Sequence, residues 1–407
     1  MMDTLCAHGY EQVSDGEKAD VFIVNSCTVT GTSDKKVRQT VRRARRENPD
    51  AVIILTGCMP QAFPEECELL HEADIIIGNS NRGNLLGYIE RFMRTHQRIV
   101  DIMPHSIAYG SEISLSGMNE RTRAYIKIED GCNRFCTYCI IPYARGRVRS
   151  RSIQDILEES ERIGKKYREV VLVGINLSAY GSDTGTGLLE AVRAAASAEG
   201  IERVRLGSLE PDLTPDELIE GLAEIPEFCP QFHLALQSGC DETLRRMNRH
   251  YTTEQFSHVC GKIRSTFDNP SITTDIMVGF AGETDEEFSR SLAFVKEIGF
   301  ARAHVFAYSR RKGTRADLFP DQVDEHVKNL RSEQMIAATS ASAAEFLRTQ
   351  IGRKVRLLPE REVEQGVYEG YTENYTPARI CGNGLSGRIL EASVTEARDG
   401  FVMCSSL

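Results

Sequence analysis

The sequence lacks long apolar runs, a targeting segment and internal repeats. No stretch approaches the ~20 apolar residues that a membrane span requires, and residues 1–20 have neither the basic nor the apolar part of a secretory signal. We therefore expect a cytoplasmic protein, in which the twelve cysteines are thiols or metal ligands rather than a disulfide framework. The net charge of −10 excludes a surface that is uniformly basic for nucleic acid, so any such surface must be local.

The pattern of apolar residues predicts three regions in this chain of 407 residues. The first, residues 1–105, alternates short apolar runs with a helical stretch, which predicts a small N-terminal parallel α/β domain. Its helix is predicted to begin at Ser33 or Asp34 and to end at Asn48-Pro49. The predicted strands of this domain are 21–24, 51–55 and 74–78.

The second region, residues 118–345, follows a polar link over 105–122 and repeats strand–helix units. These units predict a partial (β/α)6 barrel, with an open doubly wound sheet as the alternative. A long helix is predicted over 321–350. The third region, 346–407, has short strands and Gly-rich turns, which predict a small OB-like β-barrel. The six predicted strands of the second region are 123–128, 169–174, 203–208, 232–237, 272–280 and 303–308.

Three cysteines follow the first predicted strand of the second region, in GCNRFCTYC. Cys132, Cys136 and Cys139 lie four and three residues apart. A structural zinc site or a closed iron–sulfur cluster needs four protein ligands, and no further Cys or His occurs before Cys229 and His233. The C-x3-C-x2-C loop therefore predicts a cubane with one iron left open. Nearby basic residues would favour the thiolate form of the ligands: Lys127, Arg134, Arg145 and Arg147.

The segment CNRFCTYC, with Tyr138 before the last cysteine, resembles the signature of the radical S-adenosylmethionine (SAM) enzymes. The resemblance implies a [4Fe-4S] cluster whose open iron is chelated by the amino and carboxylate groups of SAM. An electron from the cluster would then generate a 5′-deoxyadenosyl radical. The adjoining IIPYARGRVRSR resembles the narrower methylthiotransferase family, whose members modify tRNA or a ribosomal protein.

Four further segments resemble motifs of that family, and each lies at the end of a predicted strand. They are VLVGINLSAYG, RLGSLEP, FHLALQSGCDETLRRMNRHYT and DIMVGFAGETDEEF. Any single residue in them could equally be an ordinary loop residue, but four motifs in the same order support a cofactor pocket. The resemblance implies the following SAM-binding positions: Gly174 and Asn176 near the methionine, Ser208 and Glu210 near the ribose and carboxylate, Gln237 and Ser238 along the pocket, and Gly279 near the adenine.

Methylthiotransferases also carry a second cluster on three cysteines of an N-terminal domain. Cys27 and Cys58 match two of these positions, since each ends a predicted strand. The third position belongs to a strand upstream of a helix that ends in a GY turn. Here CAHGY is already that helix end, so Cys6 falls in the wrong place and the opening strand is missing. We expect that the recorded start is an internal methionine; loss of one ligand is the alternative.

Two basic regions are candidates for RNA contact. The run KKVRQTVRRARR contains seven basic residues in twelve, which is usually a solvated helix face but also fits a phosphate-binding surface. The terminal β-region resembles the TRAM domain of RNA-modifying enzymes, although a barrel that only stabilises the C-terminus is the simpler alternative. The candidate RNA-binding residues are Lys35, Arg38, Arg42, Arg45, Arg353, Tyr371, Tyr375 and Arg379.

These resemblances imply a tRNA methylthiotransferase that acts on C2 of N6-threonylcarbamoyladenosine at position 37, beside the anticodon. The segments CTVT and GYTENYTPARI favour this branch. Alternatives are the branches acting on N6-isopentenyladenosine or on ribosomal protein S12, and a non-catalytic RNA-binding protein with a structural cluster. The implied partners are tRNA and an electron donor such as flavodoxin or ferredoxin.

Overall fold

The structure is a computed structural model that describes residues 1–14, 17–105 and 122–407. It divides into two compact units. The polar link predicted over 105–122 lies outside the described residues except for its two ends. The first unit comprises Met1–Ile113, Asp130–Arg147 and Ser309–Leu318, and the second comprises Ser114–Glu129, Val148–Tyr308 and Phe319–Leu407.

The first unit contains a four-stranded parallel sheet in the order β1-β2-β3-β4. Its strands are β1 (Val21–Ser26), β2 (Val52–Gly57), β3 (Ile75–Ile77) and β4 (Ile99–Asp101). The helices of the unit are α1 (Met2–Cys6), α2 (Gly31–Glu47), α3 (Cys58–Ala62), α4 (Pro64–Glu68), α5 (Leu85–Thr95) and α6 (Ile141–Arg145). The parallel α/β fold and its three predicted strands are confirmed, and β4 was not predicted.

Both faces of this sheet are buried. Ile54 packs with Leu5 and Ile75 in one apolar cluster, whereas Ile53 packs with Val41 and Ile76 in another. Because successive side chains of a strand point to opposite faces, burial on both sides requires the continuous apolar run VIIL.

The start of α2 differs from the prediction. Thr30 is the N-cap, and its hydroxyl accepts a hydrogen bond from the Ser33 N–H at 3.1 Å. Ser33 and Asp34 therefore lie inside the helix, where Asp34 is buried and takes part in an ion pair described below. The predicted end is correct, since Asn48 is the C-cap.

The six parallel strands predicted for the second region are present in the second unit, and the third of them is divided into two short strands. Strands β5 (Arg123–Lys127), β8 (Glu169–Val173) and β9 (Arg203–Leu206) form one sheet, and β10 (Ser208–Leu209), β11 (Gln231–Gln237), β12 (Ser271–Val278) and β13 (Arg302–Ala307) form another. The short strands β6 (Glu129–Asp130) and β7 (Arg149–Ser150) lie between β5 and β8 in the chain. The strands alternate with α7 (Ile153–Gly164), α8 (Leu188–Ala196), α9 (Asp216–Ala223), α10 (Asp241–Arg246), α11 (Thr253–Thr266) and α12 (Asp285–Ile298).

A long helix and a small barrel complete this unit. The helix is α13 (Glu325–Thr349), and the strands are β14 (Lys354–Glu364), β15 (Val367–Thr372), β16 (Pro377–Cys381), β17 (Leu390–Arg398) and β18 (Phe401–Ser406). The strands close in the order β14-β15-β16-β18-β17, which confirms the predicted β-barrel. None of the described helices is long and apolar enough to cross a membrane.

The barrel docks onto the core through a buried carboxylate and two arginines. Glu169 accepts hydrogen bonds from Arg205 Nε at 3.1 Å and Arg203 Nη1 at 3.2 Å. The same guanidinium groups donate to barrel carbonyls, Arg205 to Glu373 at 3.0 Å and Arg203 to Tyr371 at 3.4 Å. The contacts therefore join the start of β8 and β9 directly to the loop after β15.

Candidate cluster and cofactor sites

The loop that carries the three cysteines is closed at its base. Arg145 donates two hydrogen bonds to the Asp130 carboxylate, at 2.8 and 2.9 Å, and the Cys132 N–H donates to the Gly146 carbonyl at 3.0 Å. Gly131 has φ +91°, and a Cβ there would lie 1.9 Å from the Arg147 carbonyl oxygen. Only glycine fits at that position. The close approach of the backbone at Gly131 therefore helps to fix the position of the next residue, Cys132.

The three cysteines suit a cluster that leaves one iron open. None of the three forms a disulfide bond; Cys136 is buried, whereas Cys132 and Cys139 are half-buried. The Arg134 N–H donates to Cys132 Sγ at 3.5 Å, and such bonds favour an anionic sulfur. No group of three Cys, His, Asp or Glu in the described ranges converges for a single metal ion. A cubane does not need that convergence, because each thiolate binds a different iron.

The basic residues expected around this loop have other partners. Arg145 is bound to Asp130, and the Arg147 guanidinium lies 4.6 Å from the centre of the Phe135 ring. Burial acts to lower the pKa of Arg145, but the charge of Asp130 and hydrogen bonds to it outweigh burial and raise this pKa. Arg145 is therefore a fixed cation within the loop. Tyr138 is half-buried.

Cys27 and Cys58 lie at the same edge of the N-terminal sheet. Each follows its strand directly, and the preceding residues Ser26 and Gly57 are paired in register between β1 and β2. Cys58 is half-buried, and Asn79 Nδ2 lies 3.6 Å from its sulfur. The register therefore places the two cysteines at matching positions, each directly after one of two neighbouring strands.

Cys6 does not share that position. It is the last residue of α1 and is exposed, as the interpretation of CAHGY as a helix end predicts. The structure thus gives two strand-end cysteines in this unit and a third at a helix end.

Asn79 connects the sheet edge to the cysteine loop within the first unit. Besides its contact with Cys58, its side chain donates to the Ala144 carbonyl at 2.9 Å and accepts from Arg145 at 3.3 Å. The Cys58 sulfur also contributes to the raised pKa of Arg145, so the two side chains are neighbours. No local pattern indicates this connection, because residues 79 and 144 are 65 apart in the sequence.

A buried ion pair lies beside Cys27. Arg311 Nη1 is 2.7 Å from Asp34 Oδ2, and the Thr28 hydroxyl donates to Asp34 Oδ1 at 2.7 Å. The Arg311 guanidinium also lies 4.5 Å from the centre of the Phe63 ring. In the same segment the Ala316 N–H donates to the Thr137 carbonyl in the cysteine loop at 2.8 Å. Residues 309–318 therefore contact Thr28 and Thr137, which adjoin Cys27 and Cys136 in the chain.

In the second unit, two of the expected SAM-binding loops are ordered by buried carboxylates. The Asn176 N–H donates to Glu129 Oε2 at 2.7 Å, and a Cβ at Gly174 would lie 2.6 Å from the same oxygen. The Gly279 N–H donates to Glu283 Oε2 at 2.6 Å. Burial raises the pKa of Glu283 despite these bonds. Neither glutamate was predicted, although Glu283 lies inside the motif DIMVGFAGETDEEF and Glu129 lies two residues before GCNRFCTYC.

At the other strand ends, one candidate SAM-binding side chain is already paired within the protein, whereas two others have polar atoms that a ligand could bind. Glu210 is paired with Arg249, which also contacts Tyr251 Oη at 3.1 Å. Gln237 adopts φ +64°. Its buried Oε1 and the buried Ser238 Oγ have no hydrogen-bond partner among the described groups, so both could bind a polar ligand. Ser208 is exposed on the neighbouring strand β10, where it is in register with His233 rather than with Gln237.

Most of the candidate RNA-binding residues have intramolecular partners. On α2, Arg38 pairs with Glu66 at 2.9 Å, Arg42 with Glu72 at 3.2 Å and Arg45 with Asp74 at 2.5 Å, whereas Lys35 is exposed.

In the barrel, Arg353 lies 3.5 Å from Asp268, and Arg379 lies 3.6 Å from Glu369. The Tyr371 and Tyr375 rings stack at 4.3 Å, with the Arg123 guanidinium 5.0 Å from each. These contacts give the residues structural roles, and their assignment to RNA stays a prediction.

Comparisons with known proteins agree with this architecture. Residues 126–295 match the radical SAM superfamily, and residues 1–78 match the uncharacterized protein family UPF0004. The radical SAM methyltransferase TsrM from Kitasatospora setae has a similar fold, with a TM-score of 0.57 and 12% identity over 80% of this chain and 79% of that one. The fold, the C-x3-C-x2-C loop and these matches define an enzyme of the radical SAM class.

Relatives with assigned functions identify the family within the radical SAM class. Threonylcarbamoyladenosine tRNA methylthiotransferase MtaB of Bacillus subtilis is 37% identical over 96% of this chain and 88% of its own length. The protein of the same name from Thermotoga maritima is 37% identical over 99% and 92%. The tRNA-2-methylthio-N(6)-dimethylallyladenosine synthase of Pelotomaculum thermopropionicum is 35% identical over 96% and 90%. The chain belongs to the radical SAM methylthiotransferase family.

Proposed function

We propose that this enzyme transfers a methylthio group to C2 of N6-threonylcarbamoyladenosine at position 37 of tRNA, in the cytoplasm. The observation that carries the proposal is the 37% identity over nearly the whole chain to two methylthiotransferases named for threonylcarbamoyladenosine. The 35% identity to a dimethylallyladenosine synthase makes N6-dimethylallyladenosine the second candidate substrate.

Cys132, Cys136 and Cys139 hold a [4Fe-4S] cluster with SAM at its open iron. Three cysteines outside disulfide bonds on one closed loop, with a backbone N–H directed at Cys132 Sγ, support this assignment. The bound group supplies the one-electron chemistry that an unreactive C–H bond requires. The chain fixes the ligands: the ion pair between Arg145 and Asp130 closes the loop, and Gly131 allows its tight approach to Arg147.

The strand ends of the second unit bind SAM. Gln237 and Ser238 offer two buried polar atoms, which would gain hydrogen bonds from a ligand at little further desolvation cost. The Glu129 and Glu283 carboxylates orient the loops at Asn176 and Gly279. Tyr138, Gly174, Ser208 and Glu210 complete the proposed set.

Cys27 and Cys58 are two ligands of a second [4Fe-4S] cluster, and their matching positions at one sheet edge support this role. On α2, carboxylates engage Arg38, Arg42, Arg45 and Arg46. The remaining exposed cations of that helix are therefore the better candidates for phosphate contact, and they are Lys35, Lys36 and Arg43. A flavodoxin or ferredoxin delivers the electron.

Nucleoside mass spectrometry of tRNA from a deletion strain tests the proposal. We expect loss of the 2-methylthio form of threonylcarbamoyladenosine and accumulation of the unmethylthiolated nucleoside, with restoration by the wild-type gene but not by Cys132→Ala. If the 2-methylthio form of dimethylallyladenosine is lost instead, the second candidate is correct. If both nucleosides are unchanged, the tRNA proposal fails.

A further inference from the structure

The sheet β10-β11-β12-β13 has a polar face opposite the face that packs on the helices. Leu234, Ile276 and Val305 belong to the apolar cluster that the strands share with helices. Side chains of a strand alternate between its two faces, so His233 and Asp275, which adjoin Leu234 and Ile276, lie on the other face. His304 adjoins Val305 and lies there too.

These three polar residues are neighbours on three successive strands. Asp275 is in register with His304 between β12 and β13. His233 Nε2 lies 3.4 Å from Asp275 Oδ2, and His233 Nδ1 lies 3.0 Å from Thr273 Oγ1. The centres of the two imidazole rings are 6.5 Å apart. The sheet therefore presents two imidazoles and one carboxylate together.

The group is accessible and combines a carboxylate with an exposed guanidinium. His304 is exposed, and the Asp275 side chain is 35% exposed. Burial acts to raise the pKa of Asp275, but a hydrogen bond from His233 and the charges of His233 and His304 outweigh it, so this pKa is lowered. Asp275 is thus a carboxylate at neutral pH, with an imidazole on either side of it. Arg302, two residues before His304, adds an exposed cation on the same face.

We propose that this face binds the polar substituent on N6 of the target adenosine, with His304 as a specificity-determining residue. The inference rests on the proposed function. A threonylcarbamoyl group carries a carboxylate, a hydroxyl and urea N–H groups. Imidazole N–H donors and Arg302 suit its carboxylate, while Asp275 accepts from its donors. A dimethylallyl group has no polar atom and would offer no hydrogen-bond partner to His304 and Arg302, whereas His233 and Asp275 would keep only their contact with each other.

The experiment compares anticodon stem-loops that carry threonylcarbamoyladenosine, dimethylallyladenosine or unmodified adenosine, with the reconstituted full-length enzyme. The dissociation constant and the single-turnover rate are measured for the wild type, His304→Phe and Asp275→Asn. His304→Phe keeps a ring and removes both nitrogens. We expect it to weaken binding of the threonylcarbamoyl stem-loop by about 10-fold or more and to leave binding of the unmodified stem-loop unchanged.

The matched control is a pair with the same chemistry on the helices. His258 Nε2 lies 3.0 Å from Asp216 Oδ1, between α11 and α9, and its side chain is 64% exposed. His258→Phe and Asp216→Asn should behave as the wild type. Iron content and SAM cleavage without RNA, unchanged in every variant, establish that the fold is intact.

The outcomes separate the two proposals. If the wild type prefers the threonylcarbamoyl stem-loop and His304→Phe keeps that preference in full, this inference is overturned while the proposed function stands. If the wild type prefers the dimethylallyl stem-loop, both are overturned. A reduced preference in His304→Phe, but not in His258→Phe, supports the inference.

Discussion

Arg145 and Asp130 join the two ends of the cysteine loop through a pair of parallel hydrogen bonds of 2.8 and 2.9 Å. The side chains are only 11% and 14% exposed. A two-point ion pair in this setting fixes both distance and orientation. Because protein side chains alone make this contact, we expect it to arrange the loop for its cluster ligands.

Arg145→Gln should therefore impair cluster assembly. Removing one partner leaves the Asp130 carboxylate buried without its counter-charge, which costs about 3 kcal/mol. We expect most of the iron and sulfide of the triplet cluster to be lost after anaerobic reconstitution, and Arg145→Lys should fall between this variant and the wild type. Arg310→Gln is the control, because Arg310 pairs with Asp317 in the same unit but is 56% exposed. Equal iron contents in all variants would refute the role of the ion pair.

Gly131→Ala should have a similar effect for a steric reason. The new Cβ would lie 1.9 Å from the Arg147 carbonyl oxygen, so the backbone must move. Gly9→Ala separates this clash from conformational strain. Gly9 has nearly the same φ, +86° against +91°, but no described atom lies within 4 Å of the position that a Cβ would take there. Iron content should fall only in Gly131→Ala. A comparable loss in Gly9→Ala would attribute the effect to strain alone.

Cys132→Ala should abolish cleavage of SAM to 5′-deoxyadenosine by the reduced enzyme, because the cluster loses one of its three protein ligands. Cys67→Ala is the matched control within the same unit. Cys67 is buried in an apolar cluster, and burial raises the pKa of its thiol to about 12, so it is a packing residue. This variant should lose some stability and keep the activity. Cleavage by Cys132→Ala at the wild-type rate would disprove the radical SAM assignment of the loop.

The contact between core and barrel should weaken in acid. Burial acts to raise the pKa of Glu169, but Arg205 and Arg203 outweigh it, so the folded-state pKa lies below the ordinary 4.5. The folded protein then binds fewer protons than the unfolded chain, and the stabilisation from Glu169 is complete above pH 4.5 and is lost as the pH falls through the lower, folded value. Denaturant midpoints measured across that window should fall for the wild type. Glu169→Gln should be less stable near neutral pH and show a shallower acid dependence. An identical slope in both proteins would contradict this account.

Much of the fold could be predicted because short apolar runs in the sequence mark most of its strands. VIIL reads as a strand with two buried faces, and the six strands of the second unit follow the predicted ranges within two residues. Strand β4 has three residues, of which only Ile99 is buried, so no apolar run marks it. The cap of α2 at Thr30 rather than Ser33 or Asp34 shows how several adjacent cap-forming residues leave a helix start ambiguous.

The site was predictable only where its residues are adjacent in the sequence. The cysteine spacing identifies the triplet by itself, whereas the contact between Arg311 and Thr28 spans 283 residues. The same limitation explains the basic run of α2. Its arginines suggested a solvent-facing RNA surface, but Glu66, Glu72 and Asp74 reach them from segments about 30 residues away. Local charge does not reveal partners that only the fold supplies.

The placement of residues 130–147 and 309–318 in one compact unit with the N-terminal sheet limits how members of this family can be recombined. In a chimera that joins the N-terminal part of one enzyme to the core of another near residue 118, Asn79, Asp34 and Thr28 would come from the first parent. The two segments that contact them would come from the second parent. Parents that differ at either side of these contacts should give inactive hybrids. Exchange of the cysteine loop and the 309–318 segment together with the N-terminal part should avoid that loss.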